Sequence, residues 1–125
     1  MTEDLSGAGS RRLEWAKTHM KVLSEVKKEL VAKKTLSGIR IGMAMHVEAK
    51  TGVLALTLRD CGAQVSLTSC NPLSSDDSVV TALREHDGME VHAKRGQSEE
   101  EYYSALNKVL DIKPDVVIDD GADLI

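Results

Sequence analysis

Apolar positions recur along the chain with two alternating periods. Leu13, Ala16, Met20, Leu23, Val26 and Leu30 follow helical spacing, and Ser10 stands where a cap would start them. Residues 1–9 before that cap are small and polar and are expected to form a flexible tail. After a stop at Leu36-Ser37-Gly38, the run from Ile39 to Met45 is too short and too apolar for a surface helix and reads as a buried strand. Helical spacing returns from about Ala49 to Cys61, with Gly62 where a C-cap glycine is expected, and Gln64–Ser69 is the next strand. Asn71-Pro72 marks a turn, Asp76 and Asp77 place negative charge in the first turn of a helix through Val79, Val80 and Leu83, and Gly88 closes it. Met89–Ala93 is a third strand. Ser98 and Glu101 have the spacing of a capping box, opening a helix with Tyr102, Leu106, Val109 and Leu110 that Pro114 stops before a final strand, Asp115–Asp119.

The order is helix, then strand-helix three times, then strand. It predicts an α/β fold: an open parallel sheet with helices on both faces and right-handed crossovers, in the Rossmann-like manner. Ligands of such sheets bind beyond the carboxyl ends of the strands. Those ends carry His46-Val47-Glu48-Ala49-Lys50-Thr51, Ser69-Cys70-Asn71-Pro72, Lys94-Arg95-Gly96 and Asp119-Asp120-Gly121-Ala122-Asp123.

Composition narrows the functions open to this scaffold. With 125 residues, 42% of them hydrophobic, the chain holds one domain, expected over 10–125, and no second. The only aromatics are Trp15, Tyr102 and Tyr103, so no stacking platform for single-stranded nucleic acid is available. Twenty acidic residues against 16 basic ones, without a basic cluster, argue against a grip on phosphate backbone, and no nucleic acid partner is expected. Apolar runs of only a few residues and a polar N-terminus without a signal-peptide core predict no membrane partner and a cytoplasmic location. Cys61 and Cys70, nine apart, match neither a redox CxxC nor a zinc pair and are expected to be free thiols. His19, His86 and His92 have no neighbouring ligand pattern, so no metal site is expected. No strand is followed by GxGxxG and no GxxxxGK[ST] occurs, which removes dinucleotide and triphosphate cradles from this chain.

His46, at the end of the first strand with Glu48, Lys50 and Asp120 at neighbouring strand-end positions, is a candidate for proton transfer. Asp119-Asp120 reads either as a carboxylate pair for a metal or hydroxyls, ribose hydroxyls among them, or as a simple turn. The run Glu99–Glu101 is a solvated helix start, and Tyr102-Tyr103 are helix packing.

Several motifs in order carry a resemblance. Arg12-Leu13-Glu14-Trp15-Ala16, Leu36-Ser37-Gly38-Ile39-Arg40-Ile41, Ser69-Cys70-Asn71-Pro72-Leu73-Ser74-Ser75-Asp76-Asp77, Lys94-Arg95-Gly96, Glu101-Tyr102-Tyr103 and Asp119-Asp120-Gly121-Ala122-Asp123-Leu124 together resemble the N-terminal, substrate-binding part of the S-adenosylhomocysteine hydrolase family. The resemblance implies that 10–125 is the substrate-binding domain of a longer enzyme. That enzyme would bind a purine nucleoside thioether, oxidise its ribose with tightly held NAD, eliminate homocysteine, add water and reduce the product. His46 is then a proton shuttle near the leaving sulfur and Asp120 a ribose contact, with Glu48, Lys50, Thr51 and Asn71 among the substrate-binding residues. NAD is the implied cofactor, but its glycine-rich loop falls beyond residue 125, so the NAD domain is absent from this chain. The chain by itself is expected to be inactive. A full-length homotetramer, held largely by the later domain, is also implied.

One departure bears on the substrate. Most of the family reads His-x-Thr-x-Glu where this chain reads His46-Val47-Glu48-Ala49-Lys50. A glutamate accepting from the amino group and a threonine donating to N1 suit adenine, whereas Lys50 donating to O6 and Glu48 accepting from N1–H suit hypoxanthine. The pattern is similar to a branch of the family in methanogenic archaea that hydrolyses S-inosylhomocysteine. Two alternatives stand beside it: Glu48 and Lys50 as an ordinary salt bridge with adenosine bound, and a non-catalytic nucleoside-binding module.

Overall fold

The computed structural model describes residues 2–125. The elements are α1 (Thr2–His19), α2 (Lys21–Lys33), β1 (Arg40–Met45), α3 (Ala49–Asp60), β2 (Gln64–Ser69), α4 (Asp77–Arg84), β3 (Met89–Val91), α5 (Glu99–Asp111) and β4 (Val116–Asp119). All pairings are parallel and the strand order is β3-β2-β1-β4, so β1 lies between β2 and β4. The expected α/β class and the parallel sheet are found.

Alternate residues of β1 face two cores, as a strand covered on both sides requires. Ile41 and Met43 join Val65 and Leu67 of β2 in the larger core, under Leu13 and Ala16 of α1, Val53 of α3 and Val79 and Leu83 of α4. On the other face Ala44 packs with Tyr102, Leu106 and Val109 of α5 and with Leu124. Each fully buried large side chain here, such as Met43 or Leu67, removes apolar surface worth about 2 kcal/mol.

The helix starts follow from local chemistry. Ser98 accepts from the Glu101 backbone N–H while the Glu101 carboxylate accepts from the Ser98 N–H, the reciprocal pair expected from the sequence. Asp76 caps α4 by accepting from the Ser78 N–H at 3.0 Å. Gly62, at φ +108°, closes α3 in a conformation that few other residues adopt.

Two expectations are corrected at the N-terminus. Residues 2–9, expected as a flexible tail capped at Ser10, are the first turns of α1, with Ser6 and Gly9 buried. A Cβ added to Gly9 would lie 1.8 Å from the Ser78 carbonyl oxygen, so only glycine lets α1 approach α4 this closely. The single helix expected from Ser10 to Leu30 is two, broken at Met20 (φ −109°, ψ 61°). No glycine or proline marks the break. The Thr18 hydroxyl, at 2.7 Å, and the His19 ring, at 2.8 Å, both take the Trp15 carbonyl, and such side-chain bonds compete with continuation of the helix. Beyond the break α2 has no buried residue.

Candidate functional site

Register places the candidate residues. Met45 is opposite Ser69 and Ala44 is opposite Asp119, so the chain leaves β1, β2 and β4 at nearly the same level. The Cys70 N–H donates to the Met45 carbonyl at 3.1 Å and the Asp120 N–H to the Ala44 carbonyl at 3.2 Å, extending both pairings by one residue. His46, Cys70 and Asp120 are the next side chains out. One potential ligand atom from each lies within 4.8 Å of the other two, and His46 Nδ1 is 3.7 Å from Cys70 Sγ. From β1 the chain crosses to β2 and on to β3 on one side, and it then returns to β4 on the other side of β1, which makes this the switch point where open parallel sheets bind ligands.

The segment after β1 is held firmly. Val47 is completely buried; its N–H donates to the Ser74 carbonyl at 2.9 Å, and its carbonyl accepts from the Asp76 N–H at 2.8 Å. Arg12 of α1 reaches the same corner, with Nη1 2.6 Å from Asp76 Oδ2 and 2.8 Å from Ser78 Oγ. Burial pulls the Asp76 carboxyl pKa up, but hydrogen bonds from Ser78 and the Arg12 charge outweigh it and hold the group below the usual carboxylate range.

Glu48 is the N-cap of α3: its Oε1 accepts from the Thr51 N–H at 3.1 Å, and the Thr51 hydroxyl is 3.5 Å away. Thr51 is buried beneath it. Glu48 and Lys50 are both exposed, and among the described residues they form no ion pair with each other. Residues two apart at a helix start point in different directions. An open groove beside Glu48 is lined by Leu5, Arg12, His46, Leu73 and Arg95.

The aspartate pair divides its work. Asp119 is taken up by its own turn, with Oδ1 accepting from Gly121 N–H at 3.1 Å and Oδ2 from Leu124 N–H at 2.7 Å. Asp120 is exposed and turns toward His46 and Cys70. Asn71 is also exposed, its Oδ1 accepting from the Leu73 N–H at 2.8 Å, so its carbonyl shapes the turn after β2.

Sequence reasoning passed over two contributors. Cys70 is the free thiol expected, but its contact with His46 joins residues 24 apart and has no signal in spacing. Burial pushes the Cys70 thiol up, and the Asp120 and Asp119 charges add to this, against an opposing hydrogen bond with Ser74. Tyr102, read as helix packing, is buried in α5, and its hydroxyl also donates to Asp123 Oδ2 at 2.6 Å, tying α5 to the loop after β4.

Comparison with known proteins places the chain in a family. The sequence profile described as S-adenosyl-L-homocysteine hydrolase matches residues 2–125. The chain is 54% identical over 116 residues to an adenosylhomocysteinase of Thermoplasma acidophilum, covering 93% of this chain and 28% of that protein. It is 55% identical over 117 residues to an S-inosyl-L-homocysteine hydrolase of Methanocaldococcus jannaschii, covering 94% and 28%. A third relative, the S-inosyl-L-homocysteine hydrolase of Methanosarcina mazei, is 49% identical over 126 residues, covering 100% and 31%. The chain therefore spans under a third of the length of these relatives, and it belongs to the S-adenosyl-L-homocysteine hydrolase family.

Proposed function

We propose that these residues form the nucleoside-binding wall of a hydrolase that cleaves S-inosylhomocysteine to inosine and homocysteine. The observation that carries the reading is the separation of Glu48 from Lys50 at the end of β1, next to His46. Glu48 Oε1 is engaged by the cap, which leaves Oε2 to accept from N1–H of hypoxanthine, while the exposed Lys50 ammonium donates to O6. Adenine presents the opposite polarity at both positions. His46 moves a proton at the leaving sulfur, and the Asp120 carboxylate accepts from ribose hydroxyls. Val47, pinned on both sides, holds the histidine in place during that transfer.

The family implies NAD for ribose oxidation, and the residues present here do not fit it. The turn after β1, His46-Val47-Glu48, has none of the glycines that let a backbone approach a pyrophosphate. NAD belongs, in this reading, to the part of the protein beyond residue 125, and the 125 residues alone do not turn over. The same reading makes the intact protein a cytoplasmic homotetramer with no nucleic acid or membrane partner, which sedimentation of the full-length protein checks for assembly. Among the described residues, no helix is long and apolar enough to cross a membrane.

The test compares homocysteine release from S-inosylhomocysteine and S-adenosylhomocysteine by the full-length protein with NAD, at equal concentration. An inosyl preference of about 100-fold or more is expected, because mismatched donors leave polar groups unpaired. It should collapse in the double variant Glu48→Thr with Lys50→Glu. Equal or greater activity on the adenosyl compound would assign S-adenosylhomocysteine as substrate, a second reading favoured by the similar identity to an adenosylhomocysteinase. Activity on neither would leave a non-catalytic nucleoside-binding module.

A further inference from the structure

We propose that His46, Cys70 and Asp120 bind a divalent transition-metal ion of borderline softness, of which Zn²⁺ is the type, at the carboxyl ends of β1, β2 and β4. The three side chains supply one imidazole, one thiol and one carboxylate, a donor set that favours zinc and cobalt over magnesium or calcium. Around a four-coordinate zinc, with Zn–N near 2.0 Å and Zn–S near 2.3 Å, nitrogen and sulfur ligands stand about 3.5 Å apart. His46 Nδ1 and Cys70 Sγ are already 3.7 Å apart, and His46, Cys70 and Asp120 each offer a ligand atom within 4.8 Å of the other two.

The backbone prepares this arrangement. The Cys70 and Asp120 N–H groups are bonded to Met45 and Ala44, so the two flanking residues are fixed to the central strand on either side of His46. Asp119 is consumed by its turn, which leaves Asp120 as the carboxylate facing the pair. Three protein ligands leave a fourth position open to water or a ligand. On binding, a metal–sulfur bond forms as the Cys70 S–H bond breaks, and the proton passes to solvent without any change of oxidation state. The ion would hold the His46 nitrogen, so under the reading given above it would block proton transfer and exclude the nucleoside.

The test reads binding itself. Titrating Co²⁺ into the full-length protein should produce a thiolate-to-cobalt charge-transfer band and the absorption of a four-coordinate ion, both bleached by Zn²⁺. The band should persist in Cys61→Ser and vanish in Cys70→Ser, and His46→Ala and Asp120→Asn should each weaken binding by about tenfold or more. No band, or one that survives Cys70→Ser, overturns the site. A second measurement needs no variant: Zn²⁺, but not Mg²⁺, should slow alkylation of Cys70 followed by peptide mass mapping, and an unchanged rate would overturn the proposal. An inactive protein that shows the cobalt band would contradict the hydrolase reading and keep the metal site, whereas an active one without the band would do the reverse.

Discussion

At the scale of single residues, Glu48 caps α3 and, in the function proposed above, also reads the base, and substitution separates the two. One carboxylate oxygen caps α3 through the Thr51 N–H, and the residue also lines the groove beside His46. Glu48→Ala removes the cap and should cost about 1 kcal/mol in urea unfolding, while Glu48→Thr retains a capping oxygen and should cost less. A loss of substrate preference in the threonine variant would then report on base recognition rather than on a frayed helix. Tyr102 is the second such residue. Burial pushes its phenol above the ordinary range, and the Asp123 carboxylate adds to this, so the hydroxyl remains a donor at every pH the fold tolerates. Tyr102→Phe should cost about 0.5 to 1.5 kcal/mol in unfolding free energy, the net worth of the hydrogen bond it removes, since the exposed Asp123 carboxylate can turn to water. The tyrosine and aspartate are 21 residues apart, and nothing in the chain's periodicity pairs them.

At the scale of elements, the position of α1 is the feature most exposed to test. Ordinarily alanine within a helix is better than glycine by roughly 0.5 to 1 kcal/mol. Gly9→Ala should reverse that sign and destabilise by about 2 kcal/mol, since its methyl would collide with the Ser78 carbonyl and drive α1 off α4; chemical denaturation checks it. A flexible tail would show the opposite change. The strands and the later helices were legible because their signals are local: a short apolar run bounded by glycine or proline, the acidic pair Asp76-Asp77 at a helix start, of which the structure makes Asp76 the cap, and the Ser98–Glu101 box. The start of α1 was not, since Gly7, Ala8 and Gly9 have the composition of a tail, and the close approach of Gly9 to Ser78 of α4 has no signal in the local sequence. The break at Met20 was hidden for a related reason. Two side chains claim one carbonyl there, while the apolar spacing runs on undisturbed. The same contrast holds at the site: His46 and Asp120 could be named from their strand ends, but their meeting with Cys70 depends on strand order and register.

At the scale of the whole molecule, acid should loosen the fold before its carboxylates titrate. His92 follows β3 and is half-buried, with a ring Nε2 that has no hydrogen-bond partner among the described residues. Burial lowers its pKa below 6.5; the Glu90 charge opposes this, Lys108 and Arg84 reinforce it, and Asp111 opposes it more weakly. The folded state therefore prefers the neutral ring more than the unfolded chain does. Stability from this source is complete above pH 6.5 and is lost as pH falls through the lower, folded value. Asp60 and Asp76 act in the same direction in a later window. In each, burial raises the pKa, but partners prevail: Lys27 and Arg59 for Asp60, Ser78 and Arg12 for Asp76. Their contribution is present above pH 3.8 and disappears below it. The unfolding midpoint in urea should accordingly fall in two stages on acidification. The first stage should be absent from His92→Gln, whatever that variant's stability at neutral pH, because the amide does not titrate. A first stage that persists in the variant would place the acid-sensitive group elsewhere, whereas its loss would identify the edge of the sheet at β3, away from the His46 site, as the part of the fold that yields first.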